Sequence, residues 1–200
     1  MGLIAVNCPK LQSLYVSNTK GKITDKSITL VASNCPHLRI LNLSFTEGAI
    51  TDSLKLVATN CRELRVLDVS CTDGKITDES MTLIASNCRH LESLDVSFAF
   101  GGVTDHSIVL LAKNCPKLKS LAVSQPARKI TDASIEVVGL SCRNLETLDV
   151  SQTWGSVTDK SMKIVATHCR QLMRVYCAST KNMITNEALG RLPEGCEVYQ

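Results

Sequence analysis

A cysteine recurs along this chain at an almost fixed interval. Cys8, Cys35, Cys61, Cys88, Cys115, Cys142, Cys169 and Cys196 are separated by 27, 26, 27, 27, 27, 27 and 27 residues. A period of this length is the mark of an array of stacked units, none of which can bury its apolar face alone. Each unit must therefore be read as a layer of one continuous core.

The segment Cys61 to Asn87, CRELRVLDVSCTDGKITDESMTLIASN, serves as the template. In its first half Leu64, Leu67 and Val69, repeated as Leu91, Leu94 and Val96, mark a strand. Leu67 and Val69 alternate with Asp68 and Ser70, the period of a half-buried strand. In its second half Met81, Ile84, Ala85 and Cys88 fall at i, i+3, i+4 and i+7, one face of a helix. Asp78 or Thr77 ahead of that run is suited to cap the helix N-terminus. Gly21, Gly48, Gly74, Gly101 and Gly155 share a column in the connecting loop, where a positive φ is expected. Asn182 fits that column, and Arg128 departs from it.

Parallel strands pack about 4.8 Å apart and helices about 8–10 Å apart. Stacking one of each per layer bends the array, strands inside and helices outside. The expected fold is an α/β solenoid, a right-handed horseshoe with parallel strands on the concave face and helices on the convex face. One domain, 1–200, is expected: a partial repeat over 1–7, seven repeats of 26–27 residues over 8–195, and a C-terminal cap over 196–200. Leu3 to Cys8 aligns with Leu30 to Cys35, so the chain begins inside a helix and is expected to be a fragment of a longer one. That uncapped end is a candidate for self-association. Repeat two is one residue short at Thr51-Asp52-Ser53-Leu54. In the seventh repeat Asn186 replaces the capping Asp and Pro193 stops the helix. Such irregularities suit a natural sequence better than a designed consensus array.

The run L-x-x-L-x-[VL]-S, followed by I-T-D and a closing A-x-N-C, resembles the cysteine-containing leucine-rich repeat (LRR) over essentially all 200 residues. That repeat is typical of F-box/LRR proteins, the substrate-recognition subunits of cullin-RING ubiquitin ligases, and of related LRR proteins without an F-box. The resemblance implies a protein–protein interaction module that holds a substrate while an upstream F-box, absent from these residues, binds the ligase adaptor. The alternatives are a stand-alone LRR inhibitor or scaffold, and a small-ligand co-receptor of the plant-receptor type. Where the family often has Cys or Asn after the strand, this chain has Thr19, Thr46, Thr72, Thr153 and Thr180. Their hydroxyls are expected to bond a neighbouring loop carbonyl.

Composition removes other classes. A net charge of +3 singles out no nucleic acid or membrane. The basic column Arg62, Arg89, Arg143 and Arg170 lacks interleaved aromatics and reads as a solvated rim. The repeat cysteines lie on an apolar helix face, where a thiol acts as a small hydrophobe, so no disulfide framework is expected. With no signal peptide, a cytoplasmic or nuclear location is expected. No apolar run approaches the ~18 residues of a membrane span, and Val6 stands where acylation needs Ser or Thr. His37, His90 and His168 lie near cysteines but do not converge as zinc ligands must. No metal or other cofactor is expected, and no enzymatic activity: no nucleophile or histidine meets the carboxylates on an open face.

Function is expected on the outward-facing strand positions and the rim beyond them. Six of the seven aromatic residues, namely Tyr15, Phe45, Phe98, Phe100, Trp154 and Tyr176, fall in those columns. Only Tyr199 lies elsewhere. Aromatics at positions that hold Lys, Glu or Gln in other repeats are candidate binding anchors. Asp68, Asp95 and Asp149 form an acidic stripe down the centre. Like charges on adjacent strands are destabilising unless relieved, so a basic or mixed basic–apolar protein partner is expected there.

Overall fold

The structure is a computed structural model, and it describes residues 6–19, 22–46, 50–72, 76–99, 102–124, 129–180 and 183–200. Strands β1 (Ser13–Tyr15), β2 (Ile40–Asn42), β3 (Val66–Asp68), β4 (Ser93–Asp95), β5 (Ser120–Ala122), β6 (Thr147–Asp149), β7 (Arg174–Tyr176) and β8 (Glu197–Tyr199) alternate with helices. The helices are α1 (Asp25–Asn34), α2 (Thr51–Asn60), α3 (Asp78–Asn87), α4 (Asp105–Asn114), α5 (Asp132–Ser141), α6 (Asp159–His168) and the single turn α7 (Asn186–Leu189). Val6 and Asn7 are also helical.

All eight strands form one parallel sheet in sequence order. Their central residues stand in one row: Leu14, Leu41, Leu67, Leu94, Leu121, Leu148, Val175 and Val198. This is the leucine-rich-repeat solenoid, with strands on one face and helices on the other.

The core runs between the two layers. Leu67, Val69, Met81, Ile84, Ala85 and Cys88 of the template are all fully buried, as are their equivalents in the neighbouring repeats. Burying one such aliphatic side chain is worth about 1.5–3 kcal/mol. The column held by Ala32, Ala58, Ala85, Ala112 and Ala166 becomes Gly139 in α5. There an added Cβ would stand 3.1 Å from the Val165 nitrogen, so the glycine admits α6 at close range.

The cysteines do more than fill space. Each repeat thiol donates to the carbonyl of the preceding repeat's cysteine: Cys35 to Cys8 at 3.4 Å, Cys61 to Cys35 at 3.6 Å, Cys115 to Cys88 at 3.5 Å and Cys169 to Cys142 at 3.5 Å. The column ties repeat to repeat as well as packing, which periodicity alone does not reveal. Burial pushes the thiols of Cys61, Cys88 and Cys142 up to about 12. All ten cysteines are free thiols.

The I-T-D motif divides its labour differently from a simple cap. Thr77, Thr104, Thr131 and Thr158 are the N-caps, accepting a first-turn N–H, and the aspartate is the first helical residue. Asp78, Asp105, Asp132 and Asp159 reach across instead to the threonine of the next repeat. Asp132 accepts the Thr158 N–H at 2.8 Å and its hydroxyl at 2.6 Å, and Asp105 does the same to Thr131 at 2.8 and 2.6 Å. The missing residue in repeat two breaks this series. Helix α2 starts at Thr51 with Ile50 in the cap position and no side-chain cap. Asp52 swings out, 81% exposed, with Lys55 at 3.6 Å.

The threonine column after the strand also departs from expectation. Thr46 and Thr72 donate to Leu43 and Val69, the carbonyls three residues earlier in their own repeat, at 2.7 and 2.9 Å. The hydroxyl closes a local turn and does not bridge to the neighbouring loop.

Candidate functional site: the strand face and its rim

Each strand presents one central outward side chain. The register places Tyr15, Asn42, Asp68, Asp95, Ala122, Asp149, Tyr176 and Tyr199 in a single row. Asp68 and Asp95 are therefore immediate neighbours, about 4.8 Å apart at the backbone. Asp149 is separated from Asp95 by the Ala122 strand. Tyr199 joins this row, contrary to its expected position outside it. Strand β8 carries it there.

These aspartates are not simply free charges. Each accepts the backbone N–H two residues on: Asp68 from Ser70 at 3.0 Å, Asp95 from Ser97 at 2.8 Å, Asp149 from Ser151 at 2.8 Å. The same turn is built at repeat two by Asn42, which accepts from Ser44 at 3.0 Å. Asn42 also donates to the second oxygen of Asp68 at 2.8 Å. A polar residue at this place therefore has a local task, ending the strand. Burial raises the Asp95 carboxyl above its usual range, the Ser97 hydrogen bond opposes this, and the charges of Asp68 and Asp149 add to the rise.

The serine column next to it is mostly interior. Ser44, Ser70, Ser97 and Ser124 are 2–7% exposed, so it forms a floor below the recognition surface.

One residue further the backbone turns left-handed. Asn18, Phe45, Cys71, Phe98, Gln152 and Ser179 have φ between 51° and 57°. Their N–H groups prolong the sheet ladder: Phe45 to Ser70 O, Cys71 to Ser97 O and Phe98 to Ser124 O, at 2.8–3.0 Å. A positive φ was expected in the glycine column. Within the described residues only Gly155 (φ 87°) represents that column, and it conforms. The left-handed column was missed because its residues include Phe, Cys and Gln, which carry no turn signal. This conformation costs a non-glycine residue about 1–2 kcal/mol, so an aromatic at Phe45 or Phe98 is not a stability-optimal choice.

The aromatics then separate. Tyr15 and Phe45 are 64% and 56% exposed, and Trp154, also left-handed at φ 55°, is 43% exposed. Phe98 is half-buried. Tyr176 stacks on Tyr199 with ring centroids 4.6 Å apart, so part of its surface is used locally. Phe100 lies outside the described residues. Beside Trp154 the rim opens into a groove of about 650 Å³, walled by Cys177, Thr180, Ile184, Asn186 and Gln200.

At the other end of the strands lies a charge ladder that the sequence reading missed, because its partners are one repeat apart. Arg39 meets Glu63 at 2.9 Å, Arg65 meets Glu92 at 2.8 Å, and Lys119 stands 3.9 Å from both Glu92 and Glu146. Hydrogen bonds from His37 and Arg39 hold the Glu63 carboxyl below its usual range. Such exposed pairs contribute about 0–1 kcal/mol each. Arg62 and Arg89 donate to Thr59 O and Ser86 O at the ends of their helices, at 3.2 and 3.4 Å. Among the described residues no three His, Cys, Asp or Glu gather as metal ligands, and no helix is long and apolar enough to cross a membrane.

Comparison with known proteins agrees with this geometry. A family profile described as Leucine Rich repeat matches residues 34–53. A comparison with curated proteins returns no match. Among solved structures, an internalin from Listeria monocytogenes str. 4b F2365 superposes with a TM-score of 0.68 at 20% identity, over 100% of this chain and 50% of the internalin. The Rad7 and Elc1 complex from yeast gives a TM-score of 0.51 at 18% identity, over 99% of this chain and 64% of the matched one. The chain thus spans half to somewhat under two thirds of the chains it matches. Period, cysteine ladder and single parallel sheet together make it a cysteine-containing leucine-rich-repeat protein, resembling the LRR region of F-box/LRR proteins.

Proposed function

We propose that this chain is a protein-recognition module that grips a basic or mixed basic–apolar segment of a partner on its strand face and rim. The observation that carries this reading is the set of exposed aromatics, Phe45 and Trp154 above all, held at left-handed φ beside the aspartate row. Large apolar side chains kept in water at a conformational cost are what a binding surface needs and what folding does not. A surface of seven to eight strands at about 4.8 Å each accommodates a standard interface of about 800 Å² per partner. In this role the chain performs no chemistry.

We further propose that it serves as the substrate-recognition LRR region of an F-box-type ubiquitin-ligase subunit. The fold likeness to Rad7, which was crystallised with Elc1, supports this. Affinity capture from the source cells with the wild-type chain and with Phe45→Ala/Trp154→Ala tests the recognition reading. The double variant should lose the partner at least tenfold while melting within a few degrees of the wild type. Equal capture by both would refute it. Sequencing the transcript upstream of Met1 tests the ligase reading. An F-box there supports it, and a stop codon without one leaves a stand-alone scaffold or inhibitor.

The groove beside Trp154 favours one alternative, a small-ligand co-receptor. A compound that raises the melting temperature of the wild type and not of Trp154→Ala would establish it.

A further inference from the structure

The aspartate row has one gap. Asn42, Asp68, Asp95 and Asp149 each end their strand by accepting the N–H of the following serine, and in the fifth repeat this position is Ala122. The substitution leaves a mark in the interior. In repeats two and three the serine hydroxyl donates to the side chain two residues earlier, Ser44 to Asn42 at 2.8 Å and Ser70 to Asp68 at 2.6 Å. Ser124, only 2% exposed, has no such acceptor, and its Oγ is without a hydrogen-bond partner among the described residues. An Asn or Asp at 122 would satisfy it. Buried hydroxyls are rarely left unpaired, and departures from the stable choice collect at functional positions.

Ala122 also shapes the surface. A methyl group stands between two carboxylates, Asp95 on one side and Asp149 on the other, so the face carries a notch with acidic walls. In each wall one oxygen is engaged by a serine N–H, and a carboxylate has further lone pairs to offer.

We propose that this notch receives an arginine side chain of the partner, its guanidinium lying over Ala122 between Asp95 and Asp149. This rests on the strand-face recognition proposed above and names its anchor. Geometry selects arginine over lysine. The two walls are two strand spacings apart, about 9.6 Å. An ammonium has a single nitrogen, and two charge-assisted bonds of about 2.8 Å through it span only about 5.6 Å. A guanidinium has donors along both edges of a planar fork and reaches further. The half-buried ring of Phe98, one strand-end away, stands on the Asp95 side, where it can flank the cation.

The test uses a display library of random 12-residue peptides, selected on the wild-type chain and counter-selected on Asp95→Asn/Asp149→Asn. Asparagine keeps the strand-ending acceptor, as Asn42 shows, and removes only charge. Selected peptides should share an arginine, and replacing it by lysine should weaken binding about tenfold. Ala122→Asn should weaken the same peptides at least tenfold while leaving the melting temperature unchanged or higher, because it supplies the acceptor that Ser124 lacks. Peptides that bind without arginine, that accept lysine equally, or that are indifferent to Ala122→Asn overturn the notch and leave strand-face recognition standing. If no peptide is recovered on the wild type, the recognition reading itself fails.

Discussion

The I-T-D motif looks the same at Asp52 and Asp132, and the structure assigns the two residues very different weights. Asp132 accepts the Thr158 N–H at 2.8 Å, the Thr158 hydroxyl at 2.6 Å and the Ser161 N–H at 3.4 Å, tying α5 to the start of α6. Truncation to Ala leaves the Thr158 N–H without its acceptor. Bonds to a charged acceptor are worth about 1.5–3 kcal/mol each. Asp132 is half-exposed, and water recovers part of that, so Asp132→Ala is expected to cost about 2 kcal/mol in total. For a chain of this size that lowers the melting temperature by about 4–8 °C. Asp52, 81% exposed with only Lys55 at 3.6 Å, should cost less than about 0.5 kcal/mol.

The assay is paired thermal melting with amide hydrogen exchange. Repeat arrays can unfold segment by segment, so exchange at Thr158 reports the local opening directly. The contrast is also pH-dependent. Burial by itself would raise the Asp132 carboxyl, but hydrogen bonds from Ser161 and Thr158 outweigh it and hold the group below its usual range. A depressed carboxylate contributes fully above the unfolded value of about 3.9 and loses its contribution as pH falls through the folded value. The gap between Asp132→Ala and Asp52→Ala should therefore be constant from pH 7 to about 5 and close below about pH 4. Costs within about 0.5 kcal/mol of each other at pH 7, or a gap that widens in acid, would refute the inter-repeat clamp.

Other expectations follow from the same contacts. Asp95→Asn should stabilise the chain at pH 7, since burial and its acidic neighbours burden the charged form while asparagine keeps the Ser97 contact. That gain should vanish below about pH 4, where the carboxyl is protonated in both states. A pH-independent effect in two-point melting would count against it. Phe45→Asn relieves a left-handed aromatic at φ 54° and should raise stability by about 0.5–1 kcal/mol while weakening partner capture. A destabilised variant in urea titration would mean that the ring packs for the fold. Thiol labelling of the native chain should modify exposed Cys8 first and leave Cys61, Cys88 and Cys142 unmodified until denaturant is added. Early mass gain at the buried three would contradict the cysteine ladder.

Much of the fold was legible because a repeat displays its constraints many times over. Leu67 and Val69 alternate with polar residues, and Met81, Ile84, Ala85 and Cys88 trace one helix face. Any layer that satisfies both patterns must stack on a copy of itself. Which strands pair, and in what order, follows from the same period. The candidate site was legible only as columns. Asp68 and Asp95 were expected side by side and are, since their register follows from the 27-residue spacing between them.

What only the tertiary structure decided are contacts made between one repeat and the next. A single repeat cannot show that Asp78 serves Thr104, that Cys88 serves the Cys61 carbonyl, or that Arg65 meets Glu92, because each partner lies about one period away. Nor does local propensity reveal that Phe45 and Phe98 sit at a left-handed φ. That conformation is imposed where the parallel ladder ends and the chain must turn toward the helix layer, and it is held by a hydrogen bond to the neighbouring repeat. Sequence period determined the architecture because hydrophobic burial is set by which residues are apolar. The assignment of each polar group waited for the structure, because a hydrogen bond is set by direction and distance between residues far apart in the chain.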